Sequence, residues 1–200
     1  MKSRFQMVLM MMGVSLPTCL SGCTPTQMAG ESPAYLIIDS LTASSGAEAT
    51  TFAHTLQSDV RTNGSVLEDS GVVTFSLALK DPGAPTFSTV PSTMNFVTIT
   101  RYRVRFVRAD GRNAPAIDVP QAFDGAITLT VSTGGATGTF VLVRAQAKLE
   151  PPLVALRDLG GAIVLSTIAE VTFYGRDQAG RTVNATGLIS VNFTDWADPQ

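Results

Sequence analysis

Alternating apolar and polar residues constrain the fold of this chain more than any other feature of the sequence. From residue 34 to residue 196, short alternating runs are separated by clusters of Gly, Pro, Asn and Asp, and none sustains helical spacing for long. Successive side chains of a β-strand point to opposite faces, so an alternating run buries one face and exposes the other. We therefore predict an all-β fold, a single antiparallel β-sandwich of about seven strands.

Residues 96–108 alternate clearly and also carry a row of cations. One face holds Tyr102, Val104 and Phe106, and the opposite face holds Arg101, Arg103 and Arg105. Residues 71–80 alternate in the same way around Val73 and Phe75. We expect both segments to be core strands, with the arginines facing solvent.

The remaining segments are assigned from the same pattern. Further strands are predicted at residues 34–43, 126–132, 139–148, 162–176 and 181–193, while residues 51–60 are ambiguous and fit a second piece of the first edge. Residues 63–64 and 68–71 are interpreted as turns, residues 81–93 and 110–124 as proline-containing loops, and residues 153–158 as one helical turn. Trp196 is expected to pack over one end of the domain.

Over residues 34–196 the chain resembles the immunoglobulin-like or fibronectin type III sandwich in the number and spacing of its predicted strands and in its final hairpin. The Cys-Trp-Cys signature of true immunoglobulin domains is absent. Segments such as residues 99–102 and 169–175 are similar to those of uncharacterised bacterial lipoproteins, a resemblance that implies no activity.

The first 22 residues are typical of a secretory signal. Lys2 and Arg4 form a basic start, and residues 5–16 are almost entirely apolar. The apolar run is shorter than the roughly 18 residues expected of a membrane-spanning helix, and no basic stop-transfer sequence follows it. A permanent membrane span is therefore not expected here.

This signal ends at Leu20-Ser21-Gly22-Cys23, which resembles the bacterial lipobox. The resemblance implies attachment of diacylglycerol to the Cys23 thiol, cleavage between Gly22 and Cys23, and acylation of the new amino terminus, for example with palmitate. Two or three acyl chains would anchor the chain firmly, because one chain alone holds only marginally.

Two neighbouring residues refine this expectation. Cys19 lies before the cleavage point and would be discarded with the signal. Thr24 follows the lipidated position, where the enterobacterial family rule places an aspartate for retention at the inner membrane. An outer-membrane location is therefore favoured if the host has two membranes.

The chain thus divides into a signal peptide at residues 1–22, a lipidated flexible tether at 23–33, a sandwich domain at 34–196 and a tail at 197–200. If the strands alternate in direction, loops 110–124 and 148–161 face away from the tether and loop 81–93 faces the membrane. We expect any ligand or partner to use the outward pair of loops. A full extra strand at residues 51–60 would reverse this assignment.

Charge and cysteine content exclude several classes of function. The chain has 14 basic and 16 acidic side chains, and two of the basic ones lie in the signal. Nucleic acid is not an expected partner, because its binding needs a concentrated basic face. The two cysteines are Cys19 and Cys23, so the mature domain has no internal disulfide, thiolate metal site or cysteine nucleophile.

We assign no catalytic or metal-binding residue and expect no cofactor. His54 is the single histidine and lies outside any nucleophile motif. Glu150 and Glu170 lack the sequence context of a glycosidase carboxylate pair. The turns at residues 110–113 and 177–180 lack the acidic spacing of a calcium loop and are interpreted as Asx turns.

Arg101, Arg103 and Arg105 form the possible binding face, which Arg108 extends. Such a row suits an acidic polymer, a lipopolysaccharide phosphate or the carboxylates of a partner protein. Pairing with acids on neighbouring strands, such as Glu170, is the alternative that we favour.

The sequence therefore favours a membrane-anchored lipoprotein of the cell envelope that acts as a non-enzymatic binding, adhesion or assembly module. The expected partners are the membrane, through the lipid anchor, and an envelope protein or polysaccharide. The alternatives are a carboxylate-based envelope hydrolase and a structural spacer with no ligand. The hydrolase hypothesis predicts a concave pocket in which acids with perturbed pKa values converge.

Overall fold

The computed structural model describes residues 32–196, which fold into two β-sheets packed face to face. In chain order the strands are β1 (Ala34–Ser44), β2 (Thr55–Asp59), β3 (Asp69–Leu79), β4 (Gly83–Ala84), β5 (Phe87–Ser88), β6 (Val97–Val107), β7 (Phe123–Val131), β8 (Ala136–Val143), β9 (Leu165–Asp177) and β10 (Thr182–Thr194). Helical structure in this part of the chain is limited to α1 (Ala145–Lys148) and the 3-10 helices Gly46–Glu48, Thr93–Asn95 and Leu153–Leu156. Among these helices none is long and apolar enough to cross a membrane.

The predicted all-β sandwich is confirmed. One sheet has the order β1-β3-β8, the other has the order β2-β10-β9-β6-β7, and β4 pairs with β5 in a separate short hairpin. The sheet β1-β3-β8 and the adjacent strands β10-β9-β6 match the A-B-E and G-F-C arrangement of an immunoglobulin-like sandwich. The structure differs from the prediction in having eight strands in the two sheets and one parallel pair.

That parallel pair is formed by the segment that the sequence left ambiguous. Residues Thr55 to Asp59 of β2 pair in parallel with Ser190 to Thr194 of β10. An isolated bridge from Ala43 to the segment just before β2 links the two edge strands. β1 and β2 therefore share one edge of the sandwich, but they belong to different sheets.

Strand register determines which loops lie together. We call the end of the sandwich that contains Ala34 the near end and the opposite one the far end. The pairs Ala34 with Leu79 and Val97 with Val131 lie at the near end, so the segment 80–96 and the turn 132–135 are also there.

The far end contains the loops 108–122 and 144–164, as predicted for the two outward loops. The extra strand β2 does not reverse this placement, contrary to our expectation. β2 is parallel to β10, which runs from the near end to the far end like β1, so β2 leaves the later strand directions unchanged.

A cluster of aromatic rings fills the centre of the sandwich. Phe75 and Phe140 contribute from one sheet and Tyr102 and Phe173 from the other, with ring centroids 5.0 to 5.3 Å apart in the edge-to-face contacts. The Tyr102 hydroxyl accepts a hydrogen bond from the Val141 N–H at 3.2 Å. The alternation in β6 is confirmed, since Tyr102, Val104 and Phe106 are buried and the three arginines are exposed.

Two segment assignments were wrong. The predicted strand 139–148 ends at Val143, because Ala145 to Lys148 are good helix formers and make the short helix α1. Residues 68–71 are not a turn: Asp69 begins β3 and is fully buried. The helical turn predicted for residues 153–158 is present at Leu153–Leu156. Trp196 lies at the far end and is 41% exposed.

Candidate functional site

The predicted lipidation and cleavage residues Leu20, Ser21, Gly22 and Cys23 lie outside the described residues, as does the tail at 197–200. The features that follow belong to the sandwich itself.

The arginine row lies on the exposed face of the five-stranded sheet and is paired with two acids. Arg101 Nη1 and Arg103 Nη1 donate to the two carboxylate oxygens of Asp124 at 2.8 and 2.7 Å. Arg105 Nη2 lies 2.5 Å from Glu170 Oε2, which is the partner that the sequence suggested. Three guanidinium groups therefore share two carboxylates.

Register explains these pairs. Arg103 lies directly opposite Asp124 of β7, and Arg105 lies directly opposite Glu170 of β9. The guanidinium of Arg101 stacks 3.9 Å from the ring centre of Tyr174. The row is therefore a cross-strand network that keeps a small excess of positive charge at the surface.

A second group of charges organises the far-end loop 108–122. Arg108 Nη2 lies 2.6 Å and Arg112 Nη2 lies 3.0 Å from Asp110 Oδ2. The hydrogen bond from Arg108, assisted by those from Arg112, holds the pKa of Asp110 well below its usual range. The Asn113 side chain accepts a hydrogen bond from the Arg108 N–H at 2.6 Å, which closes the turn.

The hairpin turn after β9 is an Asx turn, as interpreted from the sequence. Asp177 Oδ1 accepts hydrogen bonds from the N–H groups of Ala179 and Arg181 at 3.0 and 2.9 Å. Burial alone raises the pKa of Asp177, but the hydrogen bonds from Arg181 and Ser32 outweigh it and lower the pKa. Across residues 32–196, no group of three or more His, Cys, Asp or Glu side chains could hold a metal ion.

The chemically most unusual cluster in the sandwich was missed by the sequence analysis. Lys148 Nζ lies 2.8 Å from Asp69 Oδ1, and both side chains are almost completely excluded from solvent. Ser58 Oγ donates to Asp69 Oδ2 at 2.5 Å, and the Gly46 N–H donates to Asp69 Oδ1 at 2.9 Å. Burial raises the pKa of Asp69, and the pairing with Lys148 opposes that increase only in part.

This cluster joins four segments of the far end: the first 3-10 helix, β2, β3 and α1. No local pattern identifies it, because its two charged members are 79 residues apart in sequence. The available signal was that Lys148 closes an alanine-rich helical turn, and that turn was assigned to a strand.

Two more acids connect the far-end segments to the end of the sheet. Asp59 accepts hydrogen bonds from Thr62 Oγ1 at 2.6 Å and from the Trp196 N–H at 3.1 Å. Asp195 accepts a hydrogen bond from the Asp158 N–H. These contacts hold the loop 60–68 and the loop 144–164 against the ends of β2 and β10.

The remaining candidates for chemistry are separate from one another. His54 Nδ1 lies 3.2 Å from the Leu41 carbonyl oxygen. Glu150 accepts a hydrogen bond from Gln146 at 2.7 Å, whereas Glu170 is paired with Arg105. Each of these groups therefore already has a local structural partner.

The surface of the described domain contains shallow clefts. One at the near end is lined by eight residues that include Tyr35, Lys80 and Asn184, and none of the eight is an acid. Two others lie over the outer strands and contain one carboxylate between them, that of Asp39.

Comparisons of the chain with protein-family models, with curated proteins and with solved structures found no match. The fold class of the chain is therefore assigned from the structure itself: it is an all-β sandwich whose far-end loops are held by ion pairs and buried carboxylates.

Proposed function

We propose that this chain is a lipid-anchored lipoprotein of the bacterial cell envelope, and that its sandwich acts as a non-enzymatic binding, adhesion or assembly module. The support at the amino terminus is the apolar signal followed by Leu20-Ser21-Gly22-Cys23. With Thr24 at the next position, the outer membrane is the favoured location in a host with two membranes.

One structural observation carries the proposal of a binding module. The described domain starts at the near end, and loops 108–122 and 144–164 lie together at the opposite end. A chain that is anchored through Cys23 would therefore present these two loops away from the bilayer.

The far end has the properties of a binding surface. Its loops are held in place by the Asp69, Asp110 and Asp195 contacts, so little conformational entropy is lost when a partner binds. It also exposes large apolar side chains, namely Ile117, Leu149, Ile163 and Trp196. Exposed apolar anchors of this kind favour an envelope protein as the partner, with a polysaccharide as the second class.

Fractionation of cells tests the anchor. Cys23→Ser should move the chain from the membrane fraction to the soluble fraction, and the intact mass of the native chain should include the acyl groups. Cys19→Ser is the matched control, because Cys19 precedes the cleavage point and its loss should change nothing. Retention of the Cys23→Ser chain in washed membranes, with no added lipid mass on the native chain, would contradict the anchor.

Photo-cross-linking in intact cells tests the binding surface. A photoreactive residue at Ile117 or Ile163, at the far end, should capture a partner. The same residue at Thr133, in the near-end turn between β7 and β8, is the control and should capture none. Cross-links from position 133 without any from positions 117 and 163 would overturn the proposed surface.

A further inference from the structure

Large apolar side chains are exposed in the near-end segment 80–96. Phe87 is 81% exposed, Val90 is 76% exposed and Met94 is 61% exposed. Residues 81–90 are all exposed, so this part of the segment stands away from the sandwich. Exposed large apolar groups that are concentrated in one projecting loop are typical of an interaction site.

This loop has a defined internal structure. β4 and β5 pair through Gly83 with Ser88 and Ala84 with Phe87. Asp81 Oδ1 accepts a hydrogen bond from the Gly83 N–H at 2.9 Å, and the Thr89 N–H donates to the Pro82 carbonyl at 2.9 Å. Phe87 therefore projects from an ordered hairpin, while Val90 follows the hairpin and Met94 lies in the 3-10 helix Thr93–Asn95.

The loop lies at the end of the domain where the amino-terminal segment joins it. The Lys80 N–H donates a hydrogen bond of 2.8 Å to the Pro33 carbonyl, so the loop begins next to the start of the domain. About ten residues separate Cys23 from this point, and at about 3.3 to 3.6 Å per residue they span roughly 36 Å at most.

We propose that the segment 80–96 is a second membrane contact, in which Phe87, Val90 and Met94 insert into the interfacial layer of the same bilayer that holds Cys23. This inference rests on the proposed lipidation. The acyl chains bring the near end to the membrane, and the loop then fixes the orientation of the domain.

A lipid bilayer fits this surface for three reasons. The tether keeps the bilayer within reach of the near end at a high effective concentration. The loop carries one cation, Lys80, and one acid, Asp81, so it has no net charge that an anionic bilayer would repel. Phe, Val and Met also lose their exposure to water when they enter the bilayer interface.

Tryptophan fluorescence of the complete lipidated protein tests this proposal. The background variant is Trp196→Phe, which removes the native tryptophan at the far end. Phe87→Trp and Met94→Trp place a reporter in the loop, and Ile117→Trp is the matched control, because Ile117 is 74% exposed at the opposite end. Each variant is reconstituted into phosphatidylethanolamine and phosphatidylglycerol vesicles, with or without bromine on the acyl chains.

We expect brominated lipid to quench the reporters at positions 87 and 94 and to shift their emission to the blue, and we expect no change at position 117. If the protein floats with the vesicles but neither loop reporter is quenched, the loop contact is wrong and the anchor stands. Equal quenching at position 117 would also overturn the proposed orientation. If the chain isolated from membranes carries no lipid and does not float, the proposed function fails and the loop contact fails with it.

Discussion

Lys148 Nζ is 2.8 Å from Asp69 Oδ1, and this ion pair is buried although 79 residues separate its members. Removing two charges from water has a large cost, which their attraction and the hydrogen bonds from Ser58 and Gly46 offset only in part. Because the pair joins α1 to β3, it positions the loop 144–164 that we propose as part of the binding surface.

Replacing one member of the buried pair should lower the free energy of unfolding more than replacing both. Lys148→Met leaves the Asp69 carboxylate buried without its cation, so we expect the free energy of unfolding to fall by about 3–5 kcal/mol. The double variant Asp69→Leu/Lys148→Met should recover much of that loss, as measured by chemical denaturation.

The exposed pair of Arg105 and Glu170 is the control for this comparison. Arg105→Met should reduce the free energy of unfolding by less than about 1 kcal/mol, because that pair is solvated. A Lys148→Met variant as stable as the Arg105→Met variant would show that the buried pair does not hold the far end.

Stability should depend on pH through Asp69. Burial raises its pKa above the usual 3.8, despite the opposing effect of Lys148. The folded chain therefore keeps the Asp69 proton at pH values where the unfolded chain has released it. The contribution of the Asp69 carboxyl to the free energy of unfolding is therefore fully present below about pH 3.8, and it is lost as the pH rises through the higher pKa of the folded state.

The double variant lacks this titration and provides the reference. The unfolding free energy of the native chain minus that of Asp69→Leu/Lys148→Met should decrease as the pH rises above about 3.8. Denaturation at a series of pH values measures this difference. A difference that increases over the same range would mean that the pKa of Asp69 is lowered by folding.

Gly125 should not tolerate a side chain. A Cβ at this position would collide with the ring of Tyr102, which occupies the space above β7. We expect Gly125→Ala to reduce the free energy of unfolding by about 1–3 kcal/mol, because the aromatic cluster must move. Gly134→Ala is the control, since its nearest neighbour would be Ser132 Oγ at 3.8 Å, and its effect should stay within about 0.5 kcal/mol.

Replacement of Asp124 should leave two arginines without their carboxylate partner and lower the free energy of unfolding only slightly. Asp124→Asn breaks the pairs with Arg101 and Arg103, which are all at the surface, so we expect a loss of less than about 1 kcal/mol. The loss should become smaller at high salt, because exposed ion pairs are screened. A loss that does not change with salt would indicate that Asp124 acts through packing instead.

The sequence indicated the arginine network more fully than it indicated the buried pair. Residues of a strand have a period of two, so alternation placed Arg105 on the outer face, and the expected pairing of opposite charges across strands suggested an acid such as Glu170 as its partner. Asp69 and Lys148 come from distant segments, and each was assigned to the wrong local structure. The burial of a charged side chain cannot be predicted from local sequence when its partner comes from a distant segment of the chain.

Taken alone, the sequence determined the sandwich class, the facing of the core strands and the positions of the proline and glycine loops, because these depend on side-chain period and backbone restrictions within a few residues. The tertiary structure decided which strands pair, that β2 joins β10 in parallel, and that Asp69 and Lys148 meet in the interior. Those outcomes depend on contacts between residues far apart in the chain, which the local pattern does not specify.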